Sequence, residues 1–572
     1  MQQIDPINAD VQQTPLPDGT VPARGKTVRN LRLAAILVLV LLGLALLPPL
    51  INVNRYQRRI ATSISGSLGR PVHLDQVSLS LLPLPGFEIQ NLVVDEDPAF
   101  GAEPIIRANE VRVTLRLSSL WRRRVEFSTI SFTSPSVNLV HTSDGKWNIE
   151  KVLLQASHID AAPTSQRRAG PTPRFPYIEA TDARLNFKLD NEKTPFSLVE
   201  SEFALWSPDP NQWQLRLKAR PARTDSSASD TGAIELEGTL GRGDSLAHIP
   251  VDVEGQWRDA PLGEASRVLT GDDAGWRGNL VLSAHIRGTL GESAVTSRLR
   301  LLGARRADFV PQQPLSANVE CFATATSVFH SFVDLRCSWP PGAADGPTVA
   351  LVGEIPDVRH PQTAALRLGT SGVPAATLVN WLRLGSANIS DSIATTGTLT
   401  ASLVHDPATS AAWTGEMTLH NGTLRTAADD APLLNGDVEL HLVPAADGTS
   451  SMLQLAPTPI LLGGRDPASL NGQFDGNGYA MRLSGMATPL RLRAFAGAIA
   501  PLGNGLVKDE TPAAAKSDVD AQAKAATEDT AAQGAVPPVH IDLSTAAGWS
   551  AQHAWMQTTP SQPQAGNAKH RR

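Results

Sequence analysis

Residues 111–117 read VRVTLRL: Val111, Val113, Leu115 and Leu117 alternate with Arg112, Thr114 and Arg116. A period of two sends successive side chains to opposite faces, so this stretch predicts a strand with one apolar and one solvated face. The same period recurs along the chain. In RLNFKLD, Leu185, Phe187 and Leu189 alternate with Asn186 and Lys188, and in WQLRLKA, Trp213, Leu215 and Leu217 alternate with Gln214, Arg216 and Lys218. Ile234 and Leu236, Val251 and Val253, and Val438, Leu440 and Leu442 continue the scheme. Strict alternation in many short runs points to antiparallel sheet with one wetted face. The 44 glycines and 43 prolines suit a chain that turns often. Gly-Thr-Leu occurs at 238–240, 288–290, 397–399 and 422–424, beside such runs. That spacing predicts a sheet of similar hairpins with no repeat of fixed length. Helical patterns are few: near Ile149–Ala156, Ala375–Leu384 and Leu490–Leu502. The predicted fold class is mainly β: an elongated, antiparallel, groove-like sheet with a few short helices, entered through an N-terminal transmembrane helix.

That helix is read from Leu33 to Ile51, LAAILVLVLLGLALLPPLI, nineteen residues without a charge. Leu33, Ile36, Leu39, Leu42, Leu46 and Ile51 represent its apolar surface. At about 1.5 Å rise per residue the run is close to the length that crosses a hydrocarbon core. A cleaved signal peptide has a shorter core and a small-x-small site, and here LINVNRYQRRIATSI follows instead. Pro48 and Pro49 mark its end, since proline breaks the helical ladder. Arg24, Lys26, Arg29 and Arg32 precede it while Arg55, Arg58, Arg59 and Arg70 follow, so flanking charge is nearly balanced. Large downstream domains cross regardless of such charge, which favours an inside N-terminus and an outside body. Beyond the span, Val53, Tyr56, Ile60, Ile64 and Leu68 form a helical stripe that lies either at the headgroups or on the folded body.

The net charge of −6 leaves no basic footprint, so nucleic acid is not an expected partner. No HExxH, Walker A, GxGxxG or GxSxG element occurs, the 13 histidines are scattered, and no cofactor or metal site is read. The carboxylate pairs Asp272–Asp273 and Asp429–Asp430 lie in turn-like sequence, and the expectation is a protein that is not an enzyme. Cys321 and Cys337 flank a stretch that can form two antiparallel strands; a disulfide and two free buried thiols are equally good readings.

Composition divides the chain into a polar N-terminus (1–30), the span (31–51), a first β region (52–160), a repetitive β body (174–505) and a largely disordered tail (506–572) with a last strand at 539–543.

The first β region carries a series of motifs in order. Gly69-Arg70 opens it, and a leucine-rich strand ends at Pro83, Pro85 and Gly86. A D-P-x-F-G turn follows at Asp97, Pro98 and Gly101, then P-x-V-N-L from Pro135 through Asn138, and D-G-x-W-N at Asp144, Gly145, Trp147 and Asn148. This series resembles the N-terminal region of the AsmA family of bacterial envelope proteins; residues 174–460 resemble the family only in style. The resemblance implies an inner-membrane protein with its body in the periplasm, associated with outer-membrane biogenesis. It also implies a β-groove that passes phospholipid, with the inner membrane and other envelope proteins as partners. The motifs themselves read as structural: Asp144-Gly145 is a hairpin signal. The alternative is an assembly or scaffold factor whose sheet closes into a dry core. If the body forms about 25–30 strands at ~4.8 Å each, a groove is at most ~120–145 Å long.

Overall fold

The computed structural model describes residues 32–39, 57–80, 84–120, 127–150, 176–190, 192–209, 212–227, 230–341, 348–385, 389, 393–426, 429–475, 478–499, 537–549 and 554–560. The fold is mainly β, a large and almost wholly antiparallel sheet with few helices. Seven strands open it: β1 Val72–His73, β2 Gln76–Ser80, β3 Gly86–Val94, β4 Ile106–Leu115, β5 Phe127–Thr133, β6 Ser136–His141 and β7 Tyr177–Leu189. Eighteen more follow, from Glu192–Asp209 to Ala554–Pro560, and each pairs antiparallel with the strand before it.

The sheet is therefore a meander in which order in sequence is order in space. One step departs from it: β5 and β6 run parallel to β7. A parallel step needs a long connection, and 35 residues lie between His141 and Tyr177. β1 and β2 share one edge of β3, and β5 and β6 share one edge of β4, so the 25 strands fill 23 positions. At ~4.8 Å per step the sheet measures ~105 Å along its contour, shorter than the strand count alone predicts.

The helices sit where strands turn. Gln57–Leu68 follows the predicted stripe, and Ala61 and Ile64 pack on the first core, against Val77, Ile89 and Val111. Three later helices, Leu262–Thr270, Ala375–Gly385 and Pro489–Ile499, are each separated from the next by six strands, all at the same rim. Pro261 and Pro374 precede the first two and Pro489 opens the third, a residue suited to a helix start. A six-strand unit thus recurs in the order of elements, although the Gly-Thr-Leu spacing does not display it. The Leu262–Thr270 helix has no counterpart among the helical patterns read from sequence. The alternation in VRVTLRL ends sooner than expected: β4 stops at Leu115, and Leu117 begins a short helical turn and is exposed.

Residues 32–39 are helical with exposed Leu33, Ile36 and Leu39, while Leu42, Leu46 and Ile51 lie outside the described residues. Among the described residues no helix is long and apolar enough to cross a membrane. The stretches 1–31, 151–175 and 500–536, which hold most of the expected linkers and tail, also lie outside them. A strand at Val539–Trp549 pairs with Gly478–Ala487.

Candidate functional site

Register aligns the apolar face across the whole sheet. Val77 pairs with Ile89, Ile89 with Val111, Val111 with Phe132, Phe132 with Ala180, and Ala180 with Phe203. The row continues through Leu217, Leu236, Gly255, Ala284, Ser297 and Cys321. It then runs through Cys337, Leu351, Leu368, Leu403, Gly415, Leu442, Leu453, Phe474 and Tyr479. Ser297 is the one hydroxyl-bearing aliphatic position in that row. No charged residue interrupts it.

Burial along the row is uneven in an informative way. Val77, Ile89, Val111 and Ala180 are buried at one end and Tyr479 at the other. Every member from Phe203 to Phe474 is only half-buried. The ends are sealed by the clusters around Ile105 and Leu433 and part of the middle by the cluster around Leu262, while the row itself from Phe203 to Phe474, ~65 Å of contour at the sheet spacing, is an apolar floor not sealed from solvent. The opposite face is charged: Arg216 pairs with Glu237 at 3.1 Å, Arg298 with Glu320 at 2.6 Å, and His285 with Asp252 at 2.7 Å. An open pocket of about 530 Å³ is lined by Gln454, Asn471, Gln473 and Arg482 together with Leu455 and Met481.

Two helices overhang the floor at one rim. Leu262, Ala265 and Leu384 pack with Leu280, Ala304 and Leu315. Trp381 meets Trp339 edge-on at 5.8 Å, and Trp276 Nε1 donates to the Leu384 carbonyl at 3.0 Å. At the centre of the row, Cys321 and Cys337 are direct cross-strand partners joined by a disulfide, with Cα atoms 4.0 Å apart.

The motif residues of the first β region converge on one buried polar network. Arg70, 5% exposed, faces Glu96 at 3.4 Å and Asp97 at 3.2 Å, and its Nη2 donates to the Asn148 carbonyl at 3.2 Å. Asn148 is fully buried: its Oδ1 accepts from the Val140 amide, and its Nδ2 donates to Glu96 and to the Asn138 carbonyl. Asn138 donates to the Pro104 carbonyl. Gly69, Asp97, Pro98 and Gly101 belong to the turns that deliver these groups, and Pro135 to the turn before β6. Gly86 has a different reason: a Cβ there would lie 2.3 Å from the Val113 carbonyl oxygen. Gly145 adopts φ 79°, the left-handed region that glycine tolerates, in the turn where Thr142 and Lys146 bond. Asp144 is held down to about 2 by its hydrogen bond from Lys146 and then by Thr142. Trp147 stacks on His141, ring centroids 4.6 Å apart. Pro85 accepts from the Leu115 amide through its carbonyl, and Pro83 lies outside the described residues. These residues build a scaffold.

A contact that no sequence pattern signals ties this scaffold to the middle of the body. Arg359 donates to the carbonyls of Thr142 at 3.1 Å and Ser143 at 2.7 Å, across 217 and 216 residues. The partners sit at opposite rims and about ten sheet positions apart. Ten positions span ~48 Å along a straight growth axis, so a hydrogen bond between them requires the sheet to coil as well as twist, which carries one rim round to the other. His141 lies beside this latch. Burial pushes its imidazole below the ordinary histidine range, and the charges of Arg359 and His330 push it further.

Among the described residues no group of three or more histidine, cysteine or carboxylate side chains is placed to hold a metal ion.

Fold and face together define a class: a long sheet with one charged side and one continuous apolar row, sealed at its ends and beneath the rim helices. Residues 24–178 match the model of the AsmA family. No curated protein and no solved structure matches the chain.

Proposed function

We propose that this protein is anchored in the bacterial inner membrane by residues 31–51, with its body in the periplasm. There it takes phospholipid acyl chains onto the apolar floor of its sheet, in the service of outer-membrane biogenesis. The observation that carries the reading is the row from Phe203 to Phe474, apolar at nearly every step and half-buried throughout. A large exposed apolar surface marks a binding site, and a floor this narrow and long matches hydrocarbon chains better than a folded partner. The AsmA match over 24–178 supports the envelope assignment, and the Cys321–Cys337 disulfide suits an oxidising compartment. The protein acts by binding and passing lipid, without chemistry of its own and without nucleic acid. With a contour of ~105 Å that coils back at the Arg359 latch, the sheet serves lipid near the inner membrane, or works with another envelope protein.

The sealed clusters favour in part a second reading, an assembly or scaffold factor whose sheet closes into a dry core. Mass spectrometry of the purified full chain separates the two. Co-purifying phospholipid, lost when Leu351, Leu368 and Leu403 are changed together to glutamine, is the expected result. A lipid-free protein that folds normally leaves the assembly reading.

A further inference from the structure

We infer that the sheet end formed by Leu84, Leu117, Phe127 and Tyr177 rests on the lipid surface from which the chain emerges, a second membrane contact beside the apolar run. The inference rests on the anchoring part of the function proposed above. All four side chains are large, apolar or aromatic, and between 38 and 55% exposed. They occupy successive positions at one rim. Leu84 lies just before β3, Leu117 just after β4, Phe127 begins β5 and Tyr177 begins β7. Pairing holds them together: the Leu115 amide donates to the Pro85 carbonyl, Leu115 faces Phe127, and Thr129 faces Tyr177. Four adjoining positions make a strip about 15 Å wide. Trp206 stands beside Tyr177, ring centroids 6.0 Å apart, and aromatic pairs of this kind concentrate at membrane–water interfaces.

The course of the Gln57–Leu68 helix says which surface the strip meets. Its far end leads through Gly69 and Arg70 into β1, where Val72 pairs with Val94 at the opposite end of β3. Its first residue lies nearer the strip: Gln57 Nε2 donates to the carbonyls of Leu74 at 2.6 Å and Asp75 at 3.1 Å, and Asp75 in turn bonds Gln90. The helix therefore runs away from the strip, and the chain enters from the strip's side. Five residues, 52–56, separate Ile51 from Gln57, a reach of about 20 Å when extended. From Gln90 to Gly86 along β3 is about 14 Å. A chain of that length can reach from Gln57 to the level of the strip. Leu117 fits this place in a way the alternation does not anticipate: it leaves the groove face and turns outward at the rim. A bilayer seated there fixes the tilt of the sheet and sets its first positions at the lipid.

The test uses the full chain in vesicles of phosphatidylethanolamine and phosphatidylglycerol, with or without spin-labelled quenching lipid. The two native cysteines are paired, so an introduced thiol carries the dye alone. Leu84→Cys, Leu117→Cys and Phe127→Cys report the strip, Leu42→Cys the anchor, and Val310→Cys, 71% exposed elsewhere, the background. Loss of fluorescence at all three strip positions, and none at 310, is expected. Unquenched strip positions overturn the inference, and quenching at 42 then shows that the anchor stands without it. An unquenched position 42 counts against the anchor alone. A strip signal that changes with protein concentration and ignores the quencher means a second copy covers it, which also overturns the inference.

Discussion

Arg70 shows how one side chain can carry a motif. Its guanidinium and the Glu96 carboxylate are both almost fully buried, so each needs the other. Removing one partner of such a pair leaves an uncompensated charge, at a cost of about 3–5 kcal/mol. Arg70→Ala is expected to lower unfolding stability by that amount in urea titration. Asn148→Ala, which orphans the Val140 amide and the Glu96 oxygen, is expected to cost about 1–3 kcal/mol. A shift of a few tenths for either would mean that the network is not what holds the first β region together. Gly69, Arg70, Asp97 and Asn148 could be picked from the sequence as a set, because they recur as motifs. Their meeting point could not, since the chain brings Asn148 to Arg70 over 78 residues and supplies Glu96 from outside the motif letters.

Among the elements, period-two alternation made most strands legible, and the Ala375–Gly385 and Pro489–Ile499 helices were visible for the opposite reason, a longer apolar period. The Leu262–Thr270 helix is nine residues with one glycine, too short for its period to emerge from the strands around it. Gly86 is an element-scale constraint: the Val113 carbonyl occupies the space of a Cβ, so β3 and β4 must part to admit one. Gly86→Ala is expected to destabilise by about 1–3 kcal/mol, read by thermal unfolding. The Arg359 latch is the other. His141 is held neutral there, facing Arg359, His330 and Asp190. When the latch opens, the repulsion from Arg359 is relieved, and the imidazole takes up a proton more readily than when closed although its burial still holds it below the ordinary range. Stability of the closed contact is therefore full above about 6.5 and falls as acid is added. Spin labels at Ser143→Cys and His360→Cys should separate on acidification, and His141→Gln should abolish the pH dependence. An unchanged distance between neutral and acid pH would contradict this.

At the scale of the whole molecule, the sequence spoke for a β-rich body with one greasy face, and the register supplied what it could not: that the face never changes side over the 21 positions from Val77 to Tyr479. Bulges are the reason this was hidden. Shifts such as those between Trp257 and Ala260, or Leu335 and Phe332, move the alternation by a residue locally and restore it on the next strand. Counting strands also misjudged length, because β1 with β2 and β5 with β6 share positions.

Position-resolved photo-crosslinking in membranes tests the apolar floor as a lipid site most directly. A benzophenone side chain placed in turn at Leu236, Leu351 and Leu403 on the floor, and at Arg216, Arg336 and Arg367 on the charged face, reports what each face touches. Phospholipid adducts at the three floor positions and none at the three outer ones are the predicted result. Adducts on both faces alike, or on neither, would contradict it.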